Sequence, residues 1–328
     1  MRGTTHRANC ANRFRLVAVV GLLSFALCFA AFAGQRIHIV PKFVAGESLS
    51  YQIDTRTANT GTTTSPIKNP QGATEFKQFT SLLVRLDVLS AEGGAQGATG
   101  RIRFRATYEK SHSISDSDAY DPQIDSIDER FNRLEGRSIE FTIEPGGEMA
   151  DIKGLDEILS SRSDAEPILS WAKGLSSGNG FPRDGIAISQ KWSNERPLTG
   201  TPLAGLVWRG ESTYLRDEAC GLSGATNDMC AIILTRFVIT RHGSAHSDAT
   251  PEDYRRNGLR TSGKWTGSGE SLESISLASG MLASSTQHSV QDMDYEIVSA
   301  STGSRFHHTG HVATDTEIKL VPQPAPQP

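Results

Sequence analysis

The chain has 328 residues, of which 37% are hydrophobic and 21% charged, with a formal net charge of −4. That length supports one large β domain or two small ones, and the excess of Ser, Thr and Gly argues against a helix bundle. The acidic balance argues against nucleic acid and anionic membrane surfaces as partners.

The N-terminus reads as a targeting segment. Arg2, Arg7, Arg13 and Arg15 precede an apolar run over residues 16–33 that ends in Ala31-Phe32-Ala33, followed by Gly34-Gln35. This predicts a signal peptide, residues 1–33, cleaved between Ala33 and Gly34. The run is also long enough for an uncleaved anchor, but the well-placed small-x-small site favours cleavage, which leaves no stable membrane span in the mature chain. Leu27 stands before Cys28 where a lipidated cysteine needs a small residue. Cleavage removes four basic residues and no acidic one, so the mature charge is 29 − 37 = −8. It also removes Cys10 and Cys28. Cys220 and Cys230 remain, and a lone pair in an exported chain predicts a disulfide. Closing so short a loop stabilises by roughly 2–3 kcal/mol. Nine intervening residues with no His do not fit a metal site.

Residues 37–53 open the mature chain, with Leu49, Tyr51 and Ile53 on one face. Residues 54–74, rich in Thr, Asn, Gly and Ser, read as a long exposed loop. Leu82, Val84, Leu86 and Val88 alternate in a strand over residues 79–90. Ile102, Phe104, Ala106 and Tyr108 form the cleanest alternation, with Arg101, Arg103 and Arg105 on the other face, free for an anionic partner or for the acidic residues Asp116 to Asp128. Residues 111–121 read as loop, and Asp121-Pro122 then caps a helix carrying Ile124, Ile127, Phe131 and Leu134. Ile139, Phe141 and Ile143 form a strand that turns at Pro145-Gly146-Gly147. Helical spacing follows over residues 154–175, with Leu155, Ile158, Leu159, Ile168, Leu169, Trp171 and Leu175 apolar.

A second β-rich stretch starts near Ile186. Residues 206–215 form a strand, and residues 231–240, apolar on both faces, read as a covered central strand. Residues 242–257 read as a polar loop. Residues 259–298 form a meander with its reversal at Gly280. A last strand ends at Val321, before a Pro-rich tail. The expected fold is mainly β, a β-rich α+β chain: a large antiparallel meander sheet, a half-barrel or two similar sheet halves, with one or two short helices between them. The expected plan is an N-terminal β half over 34–153, a helical connector over 154–180, a C-terminal β half over 181–321 and a disordered tail over 322–328. An internal repeat would match Tyr51 to Tyr214, residues 82–88 to 233–239, and residues 138–146 to 273–280. Generic meanders also match this way.

In layout, from Ile37 to Val321, the chain resembles bacterial envelope half-barrel families, including lipoprotein carriers of outer-membrane sorting, and secreted all-β proteins of Gram-negative bacteria. The resemblance implies a concave sheet face holding an apolar ligand. It assigns no functional residue.

Catalytic motifs are weak. Gly258 to Lys264 nearly fits a phosphate-binding loop, but Trp265 stands where a hydroxyl must ligate magnesium, and no helix follows. No nucleophile elbow occurs, and no cofactor motif. Asp116, Asp118, Asp121, Asp125 and Asp128 lack the Gly and terminal Glu of a calcium loop, which leaves His307, His308 and His311 as metal candidates. On a strand His308 would face away from the other two, so exposed histidines are the simpler reading. Function therefore divides into non-enzymatic binding of an apolar or lipid-like ligand or a protein partner, a secreted hydrolase with a non-motif site, and a structural surface module. The sequence leaves the oligomeric state open.

Overall fold

Alternating β-branched, aromatic and small polar residues favour extended backbone with two chemically distinct faces. In the computed structural model they build eleven strands among the described residues. The structure describes residues 36–64, 74–92, 100–118, 128–144, 149–155, 171, 180–182, 184–221, 228–241 and 248–321. In chain order the strands are β1 (Ser48–Thr64), β2 (Thr74–Ala91), β3 (Ile102–Ser117), β4 (Ser138–Ile143), β5 (Met149–Lys153), β6 (Lys191–Pro197), β7 (Leu206–Ala219), β8 (Met229–Arg241), β9 (Leu259–Ser276), β10 (Leu282–Ser299) and β11 (Arg305–Val321). They form one open antiparallel sheet in the order β5-β4-β3-β2-β1-β11-β10-β9-β8-β7-β6.

The chain thus runs outward from β1 to β5 and inward from β6 to β11, and its first and last strands meet in the middle. β1 and β11 pair from Ser50↔Val321 to Thr64↔His307. The Tyr51 hydroxyl reaches across β11 to donate to the Leu282 carbonyl at 3.2 Å. In the sheet β1 and β7 stand five positions apart, as do β2 and β8, whereas β4 and β9 stand six apart. The first two matched stretches therefore keep one spacing, and the third falls a strand out of step.

Residues directly opposite share a face, so the register sorts the side chains. The core face carries Leu49, Tyr51, Leu82, Val84, Leu86, Phe104, Tyr108, Ile139 and Phe141 in one half and Leu206, Tyr214, Ile233 and Ile275 in the other, all buried. Phe43 meets Phe104 edge-on at 4.9 Å between centroids, and the Trp171 indole N–H donates to the Tyr108 hydroxyl at 3.4 Å. Between the apolar zones runs a row of hydroxyl and amide side chains that crosses eight strands in direct register, Ser113–Thr80–Thr55–Thr316–Gln287–Ser271–Thr235–Ser212. Ser212 and Thr235 hydroxyls lie 2.8 Å apart, and those of Thr80 and Ser113 3.3 Å. Such pairs satisfy polar groups on a partly dry face.

Several expectations are corrected. Residues 54–64 are strand, not loop, because threonine suits a pleated ladder and β1 is hydrogen-bonded along both edges. Residues 111–117 are strand, because β2 pairs one edge of β3 and a helical turn over residues 128–132 satisfies the other. Residues 252–256, within the expected polar loop, form a short helix with acidic residues in its first turn and basic ones in its last, as the helix dipole favours. β8 is covered unevenly: Ile233 is buried, but Val238 is 45% exposed. The reversal at Gly280 is present, with φ of 69°. Of residues 154–175 only Gly154, Leu155 and Trp171 are among the described residues, and the expected signal segment and Pro-rich tail lie outside them. Among the described residues no helix is long and apolar enough to cross a membrane.

Candidate functional site

On the core face of β9, β10 and β11 an aromatic shelf is only half-buried. Register places Trp265 opposite Met293, Met293 opposite Gly310, and Tyr295 between Gly263 and His308. Trp265 stacks on Tyr295 at 6.3 Å between centroids with 10° between planes. Tyr295 meets Phe306 at 6.5 Å and the His308 ring at 5.3 Å. The Trp265 indole N–H donates to Gln291 Oε1 at 3.0 Å, which fixes the ring. Leu203, Leu206, Ile239 and Ala249 support it from below.

Glycines make room for these rings. A Cβ at Gly310 would come within 2.7 Å of His308 Nε2 and 3.4 Å of Met293 Cε, and one at Gly61, opposite Gly310, within 3.5 Å of His308 Cε1. The imidazole and thioether therefore occupy volume that side chains would otherwise fill. Burial pushes the Tyr295 phenol up, with Tyr254 adding to it. Burial, and then His307, push the His308 imidazole below its ordinary range, which favours the neutral ring. Thr63 Oγ1 lies 3.1 Å from His308 Nδ1. Nearby, the buried Asn59 Oδ1 has no hydrogen-bond partner among the described residues, a cost of about 1–3 kcal/mol.

Glu273 is the second unusual group on this face. It stands between Ile233 and Ser285 in register, with Ile275 two residues along its own strand. The residue is half-buried but its carboxyl is shielded, and burial raises its pKa to about 7. Such a group on an apolar face marks a functional position more often than chance.

The outer face is charged. Arg103 and Arg105 both bind Glu140, at 2.5 and 2.8 Å, and Arg101 binds Asp151 at 2.6 Å and Glu144 at 3.0 Å. The partners of this arginine row are thus carboxylates of β4, β5 and the turn after β4, because those strands lie beside β3, rather than the Asp116–Asp128 set. Between β10 and β11 stand three His–Asp pairs, His288 with Asp315 at 2.7 Å, His311 with Asp292 at 2.8 Å and His307 with Asp294 at 2.8 Å. His307 and His311 therefore point outward while His308 points to the core face, so the three metal candidates do not converge. Among the described residues no group of three or more His, Cys, Asp or Glu is placed to hold a metal ion.

Cys220 and Cys230 form the expected disulfide, with Cα atoms 5.0 Å apart, at the end of the β7–β8 hairpin. The sequence showed Trp265, Met293 and Tyr295 as strand residues but not as one shelf. Their convergence depends on the register between β9, β10 and β11. Glu273 is visible in the sequence as a lone acid in the alternation before Ile275 and Leu277.

No family model matches the chain, and no curated protein matches it. Among solved structures, lipovitellin, in a study of lipid–protein interactions, is similar with a TM-score of 0.41 and 11% identity over 87% of this chain and 27% of that one. The chain thus spans about a quarter of lipovitellin's length. A DUF1329 family protein from Desulfovibrio piger is similar with a TM-score of 0.12 and 8% identity, over 81% of this chain and 85% of that one.

Proposed function

We propose that this chain is an exported, non-enzymatic binding protein that holds an apolar, lipid-like ligand on the core face of its sheet. The half-buried shelf of Trp265, Met293, Tyr295 and Phe306 carries the reading. Four large apolar side chains remain partly open to solvent on strands near the middle of the sheet. Exposed contiguous apolar surface of this kind marks binding sites. The polar row from Ser113 to Ser212 would bound the apolar ligand and orient any hydroxyl or amide it carries. Glu273 lies one register row beyond that boundary.

Export is supported by the leader-like segment ending at Ala33 and by the Cys220–Cys230 disulfide. The processed chain would comprise the two β halves, 34–153 and 181–321, the connector 154–180 and the tail. N-terminal sequencing of protein recovered from the host envelope should read Gly34 first.

Native mass spectrometry of protein purified from its own host tests the binding. Bound mass that is released by organic solvent is expected. Met293→Glu, which places a charge between Trp265 and Gly310, should abolish it while the circular dichroism spectrum is kept. Bare protein in repeated preparations would sink the proposal.

A further inference from the structure

We propose that the outer face carries a second site, independent of the core-face shelf, which binds a long-chain carboxylate with its head group at Arg56. The register sets five small side chains directly opposite one another across five strands: Ala58, Ala313, Val290, Ser268 and Val238. Both neighbouring rows carry charge, although the second also contains Thr60 and Thr266. One reads Arg56, Asp315, His288, Glu270 and Arg236. The other includes His311 and Asp292. A row of small residues beside a long charged row, and walled on its other side at β11 and β10 by His311 and Asp292, makes a trough running across the strands. At the usual strand separation four steps span about 19 Å, the reach of an extended long acyl chain.

Each end of the trough opens into a depression. The one at β1 and β2 has a volume of about 390 Å³ and is lined by Arg56, Ala58, Phe79, Ile114 and Ala313, among others. The one at β7 and β8, of about 400 Å³, includes Val238 and Arg236. Ile114 is 58% exposed and Val238 45%. Ile114 stands in register with Phe79 and Arg56, and Val238 ends the small row, so an exposed apolar side chain lies at each depression.

Charge picks out the head group. Most basic residues of this face have a carboxylate partner, including Lys77, which binds Glu75 at 2.8 Å. The Arg56 guanidinium instead lies over the Phe79 ring, 5.0 Å from its centroid, and among the described residues it makes no ion pair or hydrogen bond. The cation–π contact anchors the guanidinium, and its N–H groups remain available to a carboxylate, which they can grip in bidentate fashion. Asp315, opposite Arg56, is engaged by His288, and Asp116 stands at the margin of the same depression. These two acids oppose a doubly charged phosphate and admit a single negative charge. An apolar chain along the small row with one carboxylate at Arg56 satisfies the whole arrangement.

Isothermal titration calorimetry of the mature, delipidated chain with palmitate is the test, with hexanoate as the short-chain comparison. Palmitate should bind more tightly than hexanoate. Arg56→Gln should weaken palmitate by about tenfold, the usual effect of losing a charged hydrogen bond, and Arg56→Lys should recover part of that loss. Val290→Glu, in the trough floor, should weaken palmitate and leave hexanoate unchanged. The core-face variant Met293→Glu should leave this affinity intact, which separates failure of this site from failure of the shelf. Parent-like palmitate binding by both Arg56→Gln and Val290→Glu would overturn the assignment. So would loss of palmitate binding in Met293→Glu alone, or Arg56-dependent sedimentation with phosphatidylglycerol vesicles in the absence of palmitate binding.

Discussion

Asp128 stands in for a missing strand beside Ser115. Its carboxylate accepts the Ser115 N–H at 2.7 Å and the Ser115 hydroxyl at 2.7 Å. It also accepts the Ser113 hydroxyl at 2.7 Å. Asn132 Oδ1 accepts the Ser113 N–H at 2.9 Å, and Glu135 Oε2 accepts the Ser111 N–H at 3.4 Å. Side chains at spacings of four and three on a helical turn repeat every 4.5–6 Å or so. Alternate strand N–H groups repeat about every 6.6 Å. The two periods match closely enough for oxygens on one turn to cap three successive donors. A free edge is a template for unwanted pairing, and this one is closed by side chains.

Asp128→Ala should therefore cost about 1–3 kcal/mol, because it strands a backbone donor as well as two hydroxyls. Urea unfolding would measure it. Amide exchange at Ser113 and Ser115 should speed up more than at Tyr51, whose β1 backbone is paired on both sides.

Gly269 is covered by the Phe237 ring, and a Cβ there would meet Phe237 Cζ at 2.5 Å and the His288 carbonyl. The ring can turn; the carbonyl belongs to the β9–β10 ladder and cannot. Gly269→Val should destabilise by about 1–3 kcal/mol through overpacking. A thermal midpoint equal to that of the parent chain would contradict it.

Glu273 makes stability depend on pH in a definite direction. Its folded pKa, about 7, lies above the ordinary value of 4.5. Between these values the folded state binds more protons than the unfolded one, so stability should fall as pH rises through that window and stay lower above it. Glu273→Gln should leave stability near pH 4 unchanged and raise it at pH 8. Parallel denaturation curves for parent and variant at both pH values would refute the shift.

Reducing the Cys220–Cys230 disulfide should lower stability by about 2–3 kcal/mol, as expected for a short closed loop. Cys230 is fully buried, and Ile232, Ala283 and Leu215 pack around the bridge. Reduction should therefore require denaturant, and thiol titration of the 34–328 chain in native buffer should detect no free cysteine.

Much of the fold was legible because burial on one face imposes a period of two. Leu82 to Val88, Ile102 to Tyr108 and Ile139 to Ile143 declared themselves as strands, and Gly280 as a reversal. Residues 54–64 and 111–117 did not, since their threonines and serines line a polar row that lacks apolar contrast. Of the two faces proposed to bind ligands, only the alternation was visible. Trp265 and Tyr295 are thirty residues apart in sequence, and Arg56 and Phe79 lie on different strands.

The sequence by itself determined a β-rich chain, the Cys220–Cys230 pair and the division of each strand into a wet and a dry side, because these follow from local periodicity and composition. Only the tertiary structure decided that the first and last strands meet at the centre of one sheet. It also decided that Asp128 closes an edge, that Met293 completes the shelf, and that Ala58, Ala313, Val290, Ser268 and Val238 form one row. Each of these depends on cross-strand register, where a slip of one residue sends every side chain to the opposite face.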